Sequence, residues 1–178
     1  MTFSFSEFSE SNYGANVTHE ENKSNFLWLI SADKIFSSEL DKFKDYAPIS
    51  NLKFHLKRTC VFEESKLAEN SICAKDISVY MPSGTHCAML IGRMSKSVIL
   101  KKIIIKKVQM INKELLVRET KEFGNCVITS FEEYNEGVVF SFRCQSLSNT
   151  YQDIGKKGEK TGQAAVQLNL TKWETKES

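Results

Sequence analysis

Residues 98–111 read VILKKIIIKKVQMI, and this run constrains the fold more than any other. Its density of Val and Ile disfavours a helix, where two heavy atoms on Cβ restrict χ1, and suits the pleated surface of a strand. Asn112-Lys113 follows where a hairpin turn belongs, and ELLVRETKEF (114–123) returns. CVITSFEEY (126–134) leads to a second turn at Glu136-Gly137 and then to VVFSFRCQSL (138–147), where Val138, Phe140 and Phe142 share a face. AAVQLNLTKWE (164–174) closes the chain as a strand with Val166, Leu168 and Leu170 inward, after a polar, glycine-bearing loop over 148–163. Consecutive strands joined by short turns pair antiparallel, so the second half of the chain is expected to be a barrel or sandwich.

The first half is less uniform. Residues 1–24 are polar and are expected to form an arm, with residues 25–178 a single domain. FLWLIS (26–31) has strand length. The stretch 34–48 reads as a short amphipathic helix or a loop ending before Pro48. NLKFHLKR (51–58) alternates Leu52, Phe54 and Leu56 against Lys53, His55 and Lys57, the mark of a half-buried strand. VFEESKLAENS (61–71) reads as a loop, and SICAKDISVY (71–80) as a strand whose apolar phase changes midway. In CAMLIGRM (87–94), Cys87, Leu90, Ile91 and Met94 fall on one helical face, with Ser83 or Thr85 as N-cap.

Composition removes several classes of function. The 178 residues hold 24 Lys and Arg against 22 Asp and Glu, for a net charge of +2. That balance supplies no basic footprint for nucleic acid. Apolar runs are too short for a membrane-spanning helix, and the start MTFSFSEFSESNYG lacks the charge and apolar pattern of a signal peptide. The five cysteines, Cys60, Cys73, Cys87, Cys126 and Cys144, form no CxxC and are expected to be reduced thiols.

Motifs for catalysis are weak. GKKGEKTG (155–162) has neither the GxxxxGK[ST] spacing nor the strand-to-helix context of a phosphate loop. His19, His55 and His86 are isolated, with no metal-ligand spacing, and no nucleophile elbow accompanies the serines. No catalytic residue, cofactor or metal is expected. Lys101-Lys102 and Lys106-Lys107 are tandem pairs whose members point to opposite faces of a strand. They either deter edge-to-edge aggregation or form part of a lumen or partner-facing surface.

The order KDISVYMPSGTHCAMLIGRMSKSVILKKIIIKKV, then ELLVRETKEFGNCVITSF, VVFSFRCQSL and LNLTKWE, resembles the Hcp family of type VI secretion tube proteins over residues 71–174. FLWLIS and ISNLKFHL fall where that family's first strands lie. The resemblance implies a mainly β chain: a small closed β-barrel of two packed sheets with one flanking α-helix. It further implies a homo-hexameric ring that stacks into a hollow tube, with sheath, spike protein and effectors as partners. Assembly in the bacterial cytoplasm and secretion without a signal peptide go with it. An extended loop reaching the adjacent ring would map to Val61–Asn70, with Glu63, Glu64, Lys66 and Glu69 offering charge complementarity. Lys101, Lys102, Lys106 and Lys107 are then candidates for a ring or lumen surface.

Two rival readings stand beside this one. A monomeric β-barrel binding a small apolar ligand needs inward residues too small to fill it, whereas Phe54, Phe140, Phe142 and Leu168 are bulky. A hydrolase has no supporting motif.

Overall fold

A computed structural model describes residues 26–170 apart from 39, 64, 65 and 156, and over 57–74 its description is limited to the backbone. The expected arm at 1–24 and the final residues 171–178 lie outside it. The chain runs through β1 (Phe26–Ala32), a single 3-10 turn (Asp41–Phe43), β2 (Ala47–Ile49), β3 (Asn51–Lys53), β4 (Leu56–Glu63), β5 (Lys66–Ala74) and β6 (Ile77–Met81). The helix α1 (His86–Ser95) follows, then β7 (Leu100–Ile111), β8 (Glu114–Tyr134), β9 (Gly137–Arg143), β10 (Ser146–Ile154) and β11 (Lys160–Asn169).

The fold is mainly β with one helix, as the second-half pattern requires. Its layers differ from the expected pair of packed sheets. One nine-stranded sheet runs β2-β1-β7-β8-β9-β6-β3, with β10 and β11 branching from β8, and β4-β5 stand apart as a two-stranded hairpin. The sheet curls around one core. Ala47 and Ile49 from one end of the path share a buried cluster with Ile77, Val79 and Met81 from next to the other end. Those two ends are also neighbours in sequence: β2 and β3 are separated by Ser50 alone, whose N–H donates to the Tyr80 carbonyl at 2.8 Å.

Several local expectations are corrected. The helix or loop at 34–48 is a 3-10 turn and the strand β2, because Pro48 tolerates a strand where a missing N–H goes unused. The strand read over 51–58 breaks at Phe54-His55 into β3, which pairs with β6, and β4, which pairs with β5. The loop read over 61–71 is mostly hairpin, and the strand over 71–80 is two, split at Lys75-Asp76. Strands 114–123 and 126–134 are one strand, β8. The polar stretch 148–163 is mostly strand as well, since β10 and β11 occupy all of it but residues 155–159.

The turns follow backbone chemistry. Asn112 and Lys113 both take positive φ, 50° and 66°, the geometry that matches the twist of a two-residue hairpin. The next hairpin turns at Asn135-Glu136, one residue earlier than expected, and Gly137 already belongs to β9. A Cβ on Gly137 would lie 2.5 Å from the Met81 carbonyl oxygen, so only glycine lets β9 pass this close to β6. In α1, Leu90 is fully buried and Cys87 and Met94 pack on the core, but Ile91 is exposed. Thr85 holds the N-cap position without a side-chain cap bond.

Candidate assembly surface

The sheet has a corner at which its buried phase changes. In β8, residues 119, 121 and 123 are buried, and past Asn125, at φ 50°, the buried positions become 126 and 128. In β7, Leu100 and Ile103 are both buried and lie opposite Cys126 and Phe123. The side of the sheet that faces the core therefore switches at one register level across both strands. Beyond this corner, Phe54, Phe123, Phe142 and Phe140 fill the interior, with successive ring centroids 5.9, 5.2 and 6.2 Å apart.

The tandem lysines of β7 divide between two faces. The Lys106 ammonium lies 4.8 Å from the Tyr46 ring and 5.6 Å from Phe43, beside a small second cluster of Leu29, Phe43 and Val108. Lys107 turns the other way, 4.4 Å from the Phe26 ring and 5.5 Å from Trp28. Each cation rests on an aromatic pair, an arrangement worth about 0.5–1 kcal/mol at exposed sites. Lys102 is exposed and pairs with Glu122 at 2.7 Å, a contact that contributes roughly 0–1 kcal/mol. The exposed Lys101 anchors through its backbone, donating N–H to Asp33 Oδ2 at 2.9 Å. The four do not form one basic patch.

A polar cluster escaped the sequence reading. Glu119 and Lys121, two apart on β8 and so on one face, form a buried ion pair. The Lys121 ammonium also sits 5.8 Å from the Phe54 ring and 5.5 Å from Tyr151. Asn149, directly opposite Lys121 on β10, is buried; its Nδ2 donates to the Tyr151 hydroxyl at 2.8 Å and its Oδ1 has no hydrogen-bond partner among the described residues. The repeat of charge at positions two apart in ETKE (119–122) was the available signal. It reads equally well as a solvated face, because its cover comes from residues distant in sequence: Phe54, Asn149 and Tyr151 on β10, and Ile105 on β7. Just beyond, Arg118 straps three strands, donating Nε to Gln109 Oε1 at 2.7 Å and Nη1 to the Ile154 carbonyl at 2.9 Å.

Two further elements stand at the margins of the main sheet. The first is the β4–β5 hairpin, where Glu63 lies opposite Lys66 in register and Glu69 opposite Val61. Glu64 lies outside the described residues. Charge is thus concentrated at the hairpin's tip. The second is β11, which pairs only with β10 and is exposed along nearly its whole length. Leu168 packs on the core and Leu170 is buried, but Val166, expected to point inward, is 46% exposed.

Burial shifts the titration of three groups, Cys126, Cys144 and His86. It pushes the Cys126 thiol up to about 12 and Cys144 up to about 11. Burial also lowers the pKa of His86, against the raising effect of its bond to the Pro82 carbonyl. Among the described residues, no three His, Cys, Asp or Glu side chains gather to hold a metal ion, and no helix is long and apolar enough to cross a membrane.

No family model matches the chain, and no curated protein matches it by sequence. Solved structures do match it in fold. A type six secretion system protein is similar with a TM-score of 0.72 at 13% identity, covering 83% of this chain and 97% of that one. Hcp1 from Salmonella typhimurium gives 0.66 at 8% identity, covering 83% and 97%. Hcp1 from the E. coli EAEC 042 pathovar gives 0.65 at 10% identity, covering 83% and 99%. The shared property is the fold: a mainly β sheet with one helix, common to this chain and the Hcp proteins.

Proposed function

We propose that this chain is the structural subunit of a type VI secretion inner tube. In this reading six copies form a ring, rings stack into a hollow tube, and sheath contraction expels the tube with its spike and effectors. In this reading the subunit acts structurally rather than catalytically, assembles in the bacterial cytoplasm and is expelled with the tube. The observation that carries the reading is the fold likeness to Hcp proteins, which spans nearly the whole length of those chains.

Physical features of the molecule support the finer parts. The covalent link of β2 to β3 through Ser50 holds the two ends of the sheet path near each other, which supports a barrel-like closure in this reading. A head-to-tail ring needs open strand edges and uncovered faces to bury, and β11 supplies both. The face of β7, β8, β10 and β11 that carries Lys102, Thr120, Glu122, Ser148, Thr150 and Gln167 is mostly polar, with Ile104 and Ala165 among them, which suits the wall of a water-filled lumen. The β4–β5 hairpin, with Glu63, Lys66 and Glu69, reaches the adjacent ring.

Native mass measurement of the purified chain tests this. A species of six times the 20.3 kDa chain mass is expected. A chain that stays monomeric at high concentration overturns the reading. Val61 and Glu69 are register partners, so residues 62–68 can be replaced by an Asn-Gly turn without disturbing the ladder below. That variant is expected to keep the ring and lose stacking.

A further inference from the structure

We propose that Cys126 and Cys144 form a redox-modification site, a cross-strand dithiol aligned for conversion to a disulfide by a small thiol oxidant. The inference concerns the corner of the sheet and does not depend on the tube reading. Val127 lies opposite Arg143 in the β8–β9 ladder, and Gly124 lies opposite Ser146 in the β8–β10 ladder. Both pairs fit one antiparallel register, and that register, carried through the corner where Cys144 and Gln145 link β9 to β10, brings Cys144 alongside Cys126. The corner between them is tied by two bonds: Asn125 Nδ2 donates to Gln145 Oε1 at 3.0 Å, and the Gln145 N–H donates to the Gly124 carbonyl at 2.9 Å.

The two thiols also share a side. Ile128 and Phe142, opposite each other and both buried in the core, stand two residues from Cys126 and Cys144 respectively. Cys126 belongs to that same core cluster, Cys144 packs against it, and both are free thiols. Directly opposed residues in an antiparallel pair hold their Cα atoms roughly 4.5–5.5 Å apart, inside the span of about 4.4–6.8 Å that a disulfide bridges.

The chemistry assigns each cysteine a part. Cys144 is half-buried and Cys126 fully buried, so an oxidant meets Cys144 first. With diamide, the Cys144 thiolate adds to the N=N bond. Cys126 sulfur then attacks Cys144 sulfur and releases the hydrazine. Two electrons and two protons pass to the diamide, and one S–S bond forms. Cys144 ionises at about 11, so closure should accelerate roughly tenfold per pH unit below that value.

The full-length reduced protein, treated with diamide under native conditions, alkylated and digested with trypsin, provides the test. Tryptic peptide 122–143 carries Cys126 and peptide 144–156 carries Cys144. The expected result is these two peptides joined, with two free thiols lost and the melting temperature raised by roughly 5–10 °C until a reductant is added. Cys144→Ala is expected to melt as the reduced wild type does and to show no rise on oxidation. Recovery of the two peptides separately alkylated overturns the proposal. So does Cys144 joined to a peptide bearing Cys60, Cys73 or Cys87.

Discussion

β9 and β11 carry similar local signals and meet opposite fates. Both alternate apolar residues over a strand's length. β9 lies between β6 and β8, with nearly every residue buried, and β11 hangs from β10 alone, with nearly every residue exposed. Side-chain size explains part of the contrast. Phe140 and Phe142 stack 6.2 Å apart and Phe140 meets Phe36 at 6.4 Å, so β9 gathers its neighbours into one core. The corresponding stretch of β11 is Ala164, Ala165 and Val166, which presents little apolar area to bury. Local alternation specifies a strand and its two faces. It does not specify that anything lies on either face.

The comparison breaks first at Phe140. Phe140→Asp forces a carboxylate into the cluster and is expected to abolish folding, read as loss of the cooperative melt. A soluble variant with a native-like melt would mean that β9 does not organise the core.

Alkaline titration probes the same end of β9 more gently. The folded pKa values of Cys126 and Cys144 lie above the ordinary thiol value of 9.0. Stability is therefore fully present below pH 9 and declines as pH rises toward about 11 and 12. The buried Cys126 contributes a loss of roughly 1.4 kcal/mol for each pH unit climbed. Half-buried Cys144 contributes less, because solvent screens it. The melting temperature of the reduced protein should fall across that window. A double Cys126→Ala, Cys144→Ala variant should fall less. Equal declines in both would assign the loss to other groups.

The smallest effect on stability is expected at Val166. Val166→Lys should change unfolding free energy by no more than about 0.5 kcal/mol, because the side chain is half exposed and off the core. On the proposed function it should still weaken ring formation, visible as monomer in native mass spectra. A large loss of monomer stability would show that β11 is packed after all.

Much of the fold was legible in particular residues. The run 98–111 became β7, Asn112-Lys113 became a turn, and His86–Ser95 became the helix. Strand continuity was less legible. β8 passes unbroken through Gly124-Asn125, which falls between two strands in the sequence reading but serves as a corner, because β7, β9 and β10 pair with it on both sides. The polar stretch after residue 148 reads as a loop, yet backbone pairing to β8 and β11 holds most of it extended. The lysine pairs could be placed on opposite faces in advance. Their aromatic partners, drawn from β1 and the turn before β2, could not.

The sequence by itself determined the class of this protein: strands by β-branched density, turns by residues that accept positive φ, and one helix by spacing. These are short-range properties, decided by sterics and charge within a few residues. Tertiary structure alone decided which faces are covered. It buried Glu119 and Lys121, left Val166 in the open, and packed Cys144 against the cluster that holds Cys126, since each outcome depends on which distant strand arrives alongside.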